Sequence, residues 1–563
     1  MKVNLRKLAA TFPARAGISP ALADASRTLA RVLASPVVRA ELLPLGFITF
    51  VAAVLRLLDL MEVPPGFHGD EGLAGMDALR ITREGWIGPY LSSALGTTSG
   101  AFYWTAAVFR IFGESPFTVR LSFAILGVAT IPLTYLTFRL MFDRRIAILA
   151  SALLAVMSWH IHFSRVAFVP VTWPLMEMAT LSLLFAGFRT GRWPFFALAG
   201  LAFGGGLYGY LIYPIFMVAL AVYLLLVMLT AYRRRLLEFA RYMAPFALCT
   251  VLIALPLIQF ARDPDSLYWD RFRTYSITKS PEYQAADGLI GKAEFFAGRA
   301  RTFFRGFVAS PPIDYADATG IKPILDRLSP VLMVAGLVIA FSRWRRHEYL
   351  LPILMLVIVP AAALSSQDGM YRRTLGLAPF LALLAALPLA LVWEQVDRIK
   401  DWQLRSASYT LIGGVVAVVA LFNFHLYFDT MRNEEQSKWV FAREIAAASQ
   451  YLRHLDEEPY VYFYSARWSF NYETRQYLAP GVQGEDRSQE FGPDHAFSLE
   501  GIDRSRESVL LFLPPYQPNV NEAMAQYPGG APVVRVDPDG AVLFVAYHLP
   551  PAAATAPPAA PAP

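Results

Sequence analysis

The sequence predicts a polytopic α-helical membrane protein of about eleven transmembrane helices followed by a small extracytoplasmic α/β domain. Three observations carry this expectation. Of the 563 residues, 55% are hydrophobic and 17% charged, against about 25% charged in ordinary soluble domains. Apolar runs recur that match or approach the about 20 residues of a bilayer-crossing helix. The connections between these runs alternate between basic and non-basic, as the positive-inside rule requires of a chain threaded through a membrane.

The first 42 residues are a basic arm with Lys2, Arg6, Lys7, Arg15, Arg27, Arg31 and Arg39 and little acid. This composition suits a cytoplasmic segment held against anionic headgroups, with an organellar transit peptide as the competing reading. The membrane domain is expected over residues 43–428, with apolar runs at 43–61, 117–140, 146–159, 171–188, 193–207, 213–232, 243–260, 330–341, 350–363, 375–393 and 409–428. Arg144 and Arg145, Arg189 and Arg192, Arg233 to Arg235, Arg343 to Arg346, and Arg398 to Arg405 mark the cytoplasmic connections. An odd number of spans then places the C-terminal segment outside a plasma or inner membrane. The net charge of +6 is thus an orientation signal and gives no reason to expect nucleic acid. The single cysteine, Cys249, excludes an intrachain disulfide.

Three segments fall on the outer face. Two are loops, 62–116 and 261–329, too long to lack internal structure and expected to contain surface helices. The third is an α/β domain over 429–549, with a helical pattern at 441–455 and strand patterns at 460–464, 508–513, 533–536 and 541–547 around the turn Asp537-Pro538-Asp539-Gly540. From Asn433 onward it carries 17 acidic against 9 basic residues, the opposite sign from the inner loops. Residues 550–563 are Ala/Pro low complexity, expected to be disordered.

The first outer loop opens with Pro64-Pro65-Gly66-Phe67-His68-Gly69-Asp70-Glu71-Gly72. Adjacent carboxylates flanked by glycine at the lipid–water boundary suit a general base, because glycine admits a substrate close to the backbone and partial desolvation lifts a carboxylate pKa towards working pH. The competing reading is a Gly/Pro turn in which Asp70 or Glu71 caps the following helix. His68 is a further candidate pocket residue.

The Asp70-Glu71 pair is followed by Gly113-Glu114-Ser115-Pro116-Phe117-Thr118-Val119-Arg120-Leu121, by Trp159-His160-Ile161-His162-Phe163-Ser164-Arg165, and by Gly204-Gly205-Gly206-Leu207-Tyr208-Gly209-Tyr210. This order of elements, over about residues 43–393, resembles the family 39 glycosyltransferases, the bacterial relatives of protein O-mannosyltransferases and of the aminoarabinose transferase that modifies lipid A. The resemblance implies the GT-C fold, a polyprenyl-phosphate-linked monosaccharide donor, reaction on the outer face and inversion at the anomeric carbon. It implies Asp70 as the base acting on the acceptor hydroxyl and Glu71 as its support in the pocket. One aligned base and a cationic clamp suffice for a single displacement, since a lipid phosphate leaves without protonation.

Tyr371-Arg372-Arg373 falls where the family binds the lipid phosphate, and guanidinium groups match phosphate oxygens; interfacial snorkelling is the competing reading. Arg165, His160 and His162, at the outer end of the third run, are further candidates for phosphate or pocket contact. Many family members carry an Asp shortly after this Arg, whereas here no acid follows Arg165 until Glu177, so no second carboxylate role carries over from that position. Glu177, two turns into an apolar run, is expected to face a cavity, pair with a cation or be protonated. No cluster has metal-ligand spacing, so neither metal nor cofactor is expected.

The implied partners are a polyprenyl-phosphate sugar, membrane lipid and an acceptor that is protein, lipid or glycan. A transporter or flippase of lipid-linked saccharides is the rival reading. It predicts matched internal repeats, which the sequence lacks, and gives no reason for the large outer segments.

Overall fold

The computed structural model describes residues 36–312, 315–317, 322–367, 370–455, 459–492 and 497–552. The basic arm through residue 35, Asp368-Gly369 and the Ala/Pro tail from residue 553 lie outside the described residues. The chain divides into two compact units, residues 1–48 and 49–563. The described part of the first is the opening of the Pro36–Leu57 helix.

Every apolar run forms helix, but their lengths differ from the expected eleven spans. Among the described residues, seven helices are long and apolar enough to cross a membrane, and eight if the bent pair Arg144–Val156 and Ser158–Arg165, with its 57° break, is one span. Trp193–Gly209, Pro214–Thr230 and Ser329–Ser342 have only 17, 17 and 14 residues. At 1.5 Å per residue they are about 21 to 26 Å long, short of a hydrocarbon core of about 30 Å.

Local chemistry sets the helix ends. Ser115 Oγ accepts the amide of Thr118 at 3.1 Å and Pro116 occupies the first turn, so Pro116–Met141 begins there. Asp143 caps Arg144–Val156 by accepting the amide of Ile146 at 3.1 Å. Each caps amides that lack an intrahelical partner.

The two long loops, 62–116 and 261–329, contain regular structure. The first contains helices Gly69–Glu84 and Gly100–Phe112 and a two-stranded ribbon, β1 (Tyr90–Leu91) and β2 (Thr97–Thr98). The second contains Asp270–Tyr275, Pro281–Ala285 and Gly288–Val308.

The C-terminal domain holds a five-stranded sheet of β3 (Tyr460–Tyr464), β4 (Gly484–Asp486), β5 (Ser508–Phe512), β6 (Ala531–Val536) and β7 (Val542–Leu549) in the order β4-β3-β5-β7-β6. β3 pairs in parallel with β4 and β5, while β7 runs antiparallel to β5 and β6. Alternation along the strands divides the core in two. Val461, Phe463, Val509 and Leu511 pack with Ile445, Ala448 and Leu452 of the Arg443–Arg453 helix. Tyr462, Tyr464, Leu510 and Phe512 pack on the other side with Leu499, Ile502 and Tyr516. The short β4 was not expected from the sequence, because Gly-Glu-Asp has no strand propensity and is recruited by the β3 edge.

This domain is pressed against the Gly69–Glu84 helix. Thr474 Oγ1 donates to the Phe67 carbonyl at 2.8 Å, and Tyr477 stacks on Phe67. Gly69, Gly72 and Gly75, three residues apart, form the contact face. A Cβ at Gly72 would lie 2.6 Å from the Glu473 carbonyl oxygen, and one at Gly75 would lie 2.4 Å from the Tyr477 ring.

Candidate active site

The site is built around the first turn of the Gly69–Glu84 helix. His68 is its N-cap: Nδ1 accepts the Asp70 amide at 3.0 Å, and Glu71 Oε2 reaches back to accept the His68 amide at 2.9 Å. This reciprocal cap assigns the two adjacent carboxylates different tasks. Glu71 is fully buried and paired with Arg120, Nε to Oε1 at 2.7 Å and Nη2 to Oε2 at 2.9 Å. Asp70, relieved of capping, presents a carboxylate that is 42% exposed.

Arg372 approaches Asp70 from the other wall, with Nη1 3.8 Å from Oδ2. Its orientation is imposed by the buried Asp317, whose Oδ1 accepts Arg372 Nε and whose Oδ2 accepts the amides of Tyr371 at 3.2 Å and Arg372 at 3.0 Å. The guanidinium also lies over the Phe168 ring.

Asp70, His68, Arg372 and Arg373 line one cavity of about 1030 Å³. That volume accommodates more than a monosaccharide, at the upper end of ordinary ligand pockets of about 300–1,000 Å³. Asp77 and Arg271 also line it, together with Trp439, Arg467, Trp468 and Tyr472 of the C-terminal segment. Asp77 shares a helix face with Asp70, seven residues on; burial raises its carboxyl pKa, against a hydrogen bond from Ser93 Oγ at 2.9 Å. Arg271 donates to the carbonyls of Ala94 at 2.8 Å and Gly96 at 3.0 Å, which pins the turn between β1 and β2 to the cavity rim.

The remaining sequence candidates lie elsewhere. Glu71 does not line the cavity, because Arg120 and the cap consume both oxygens. Tyr371 points away, buried between Phe303 and Phe307, with its hydroxyl donating to the carbonyls of Thr302 and Phe303. Arg165, expected at the phosphate, is fully buried. It donates instead to the carbonyls of Val63, Leu55 and Asp59, at and just beyond the end of the Pro36–Leu57 helix. His160 Nδ1 accepts from Arg56 Nη2 at 2.8 Å, and His162 Nε2 donates to the Ala316 carbonyl at 2.9 Å. Glu177 is buried, has no hydrogen-bond partner on either oxygen among the described residues, and does not line the cavity. Among the described residues no three His, Cys, Asp or Glu side chains gather where they could hold a metal ion.

Sequence reasoning passed over Arg120 and Asp317. Arg120 lies within the Gly113–Leu121 segment, and its signal was a lone cation near the start of an apolar helix, a position that has to be paired. Asp317 ends the short 3-10 turn Tyr315–Asp317, and nothing in the local sequence pattern marks it.

Residues 98–259 match the family described as dolichyl-phosphate-mannose-protein mannosyltransferase. No curated protein matches the sequence. Among solved structures, ArnT from Cupriavidus metallidurans bound to undecaprenyl phosphate is similar at a TM-score of 0.53 and 13% identity, over 91% of this chain and 98% of that one. The Archaeoglobus fulgidus oligosaccharyltransferase tethered with an acceptor peptide gives 0.53 and 12%, over 91% and 74%. AglB from the same organism, in complex with an inhibitory peptide and a dolichol-phosphate, gives 0.51 and 13%, over 92% and 75%. The chain therefore shares the fold of these membrane proteins, the GT-C architecture. The likeness to the mannosyltransferase family is carried by residues 98–259.

Proposed function

We propose that this protein transfers a monosaccharide from a polyprenyl-phosphate donor to an acceptor on the extracytoplasmic face, with inversion at the anomeric carbon. The observation that carries the reading is the meeting of Asp70 and Arg372, 3.8 Å apart on the wall of one large cavity. An acceptor hydroxyl oxygen attacks the anomeric carbon as the bond from that carbon to the phosphate oxygen breaks. The hydroxyl proton passes to the Asp70 carboxylate, and the electron pair of the broken bond leaves on the lipid phosphate. Arg372 and Arg373 offset the charge that develops there, in a site where fixed cations act more strongly than in water. One displacement with one base gives inversion. The structures of ArnT with undecaprenyl phosphate and of AglB with dolichol-phosphate support a lipid-phosphate donor.

The test is Asp70→Asn in membranes supplied with labelled polyprenyl-phosphate sugar. Transfer is expected to be lost at unchanged expression, and normal turnover would overturn the assignment. A reporter fused after Asp429 is expected outside the cytoplasm, as the alternation of basic loops requires.

A further inference from the structure

We infer that the C-terminal domain supplies the acceptor side of this cavity, and that Arg467 receives an anionic group of the acceptor, a phosphate or a carboxylate. The inference rests on the transferase reading and extends it to the class of acceptor.

Arg467 lines the cavity with Trp439, Trp468 and Tyr472. Its guanidinium carbon lies 3.3 Å from the ring centre of Trp439 and 3.9 Å from that of Trp468. Two indoles cover its faces, so it can bind only through its edges. One edge is used: Nη1 donates to the Trp439 carbonyl at 2.5 Å and lies 3.6 Å from Glu444 Oε1. The other edge, Nε and Nη2, has no hydrogen-bond partner among the described residues. It is the same pair of nitrogens with which Arg120 grips both oxygens of Glu71. Arg467 thus holds an unfilled fork of the geometry that matches a carboxylate or phosphate.

The surroundings strengthen that fork. Burial lowers the guanidinium pKa to about 10, which leaves it charged at neutral pH while stripping away water that would compete for an anion. Arg372, by contrast, is committed to Asp317 and faces Asp70. The fork is also fixed relative to the reacting centre. Tyr472 stacks against Trp468 with ring centres 4.4 Å apart, and its hydroxyl accepts the amide of Gly69, the residue before Asp70. A cation in this position within an otherwise acidic domain selects for charge on the acceptor and leaves the donor phosphate to the opposite wall.

The experiment uses the full-length protein in detergent, first saturated with undecaprenyl phosphate so that the donor side is filled. Tryptophan fluorescence, reported by Trp439 and Trp468, is then followed during titration with glucose 6-phosphate, glucuronate and glucose. The wild type is expected to bind at least one of the two anionic sugars about tenfold or more tightly than glucose, and the responding sugar identifies the anion. Arg467→Ala is expected to abolish that preference while undecaprenyl phosphate binding stays unchanged. Arg467→Gln, which keeps much of the side-chain bulk without the charge, serves if the Ala variant melts early. Retained preference in the charge-free variants, or no preference in the wild type, overturns the inference. Failure to bind undecaprenyl phosphate at all would instead count against the donor reading.

Discussion

Arg120 and Glu71 form a two-bond ion pair with neither side chain exposed, one residue behind the carboxylate of Asp70. The same guanidinium donates to the carbonyls of Leu60, Pro64 and Gly66, so one side chain gathers the whole turn that leads into the Gly69–Glu84 helix. Removing one partner of a buried pair leaves an uncompensated charge, which costs about 3–5 kcal/mol. Arg120→Ala is therefore expected to lower the melting midpoint sharply and to abolish transfer. Arg120→Lys is expected to rescue little, because an ammonium cannot span two carboxylate oxygens and three carbonyls together. Full activity in Arg120→Lys would show that charge alone, without the fork, positions Asp70.

The division of labour between Asp70 and Glu71 shows how far the sequence could be read. Hydropathy located the apolar helices, because burial in lipid writes itself into composition over about 20 residues, but it did not tell the spans from the shorter apolar helices such as Ser329–Ser342. The Asp-Glu pair and the Tyr-Arg-Arg triplet were visible because charge is rare at such boundaries. The resemblance singled out Asp70, but what turns one member of each group to the cavity was not visible: it depends on the cap formed by His68 and Glu71 and on the carboxylate of Asp317, 55 residues away from Arg372 in sequence. Arg165 shows the converse, since a buried guanidinium serving backbone carbonyls carries the same local signal as one awaiting phosphate. The contribution of Trp439, Arg467 and Tyr472 was hidden for a related reason, because only the packing of the C-terminal domain brings them to the cavity.

Asp317 holds Arg372 by its side chain and its backbone amide together. Asp317→Asn keeps the shape but weakens the charge-assisted bond to Nε, a loss of about 1.5–3 kcal/mol. The donor KM is expected to rise about tenfold or more, with a smaller fall in kcat. Arg372→Ala is expected to act in the same direction, and the double variant to be no worse than Arg372→Ala alone, since Asp317 acts through that residue. Additive losses in steady-state kinetics would separate the two roles.

The glycine face tests whether the C-terminal domain has to stay docked for the reaction. A Cβ at Gly72 meets the backbone carbonyl of Glu473, which cannot swing aside, whereas one at Gly75 meets only the Tyr477 side chain. Gly72→Ala is expected to loosen the domain, read as faster proteolytic cleavage within residues 429–440, and to reduce transfer. Gly75→Ala is expected to do the same more mildly and to be largely restored by Tyr477→Ala, which empties the space. Equal losses in Gly75→Ala with and without Tyr477→Ala would place the defect in the helix and not in the contact.

The β6–β7 turn gives the domain an acid-sensitive latch. Lys438, at the start of the domain, bonds Asp539 and lies 3.2 Å from Asp537, with Glu435 at 2.8 Å. The Lys438 hydrogen bond is the main cause holding the Asp539 carboxyl at about 2, below its ordinary 3.8. A carboxyl depressed in the folded state binds its proton less readily there than in the unfolded chain, so its contribution to stability is complete above the ordinary value. It is lost as pH falls through about 4 towards about 2. Asp539→Asn keeps an acceptor for the Ala541 amide, which Asp539 Oδ1 meets at 3.3 Å, while removing the charge. The melting midpoint of the wild type is expected to exceed that of Asp539→Asn at neutral pH, and the gap to close as pH is lowered below about 4. Lys438→Met is expected to flatten the profile in the same way. A gap independent of pH would assign the loss to turn geometry and remove the ion pair as its cause.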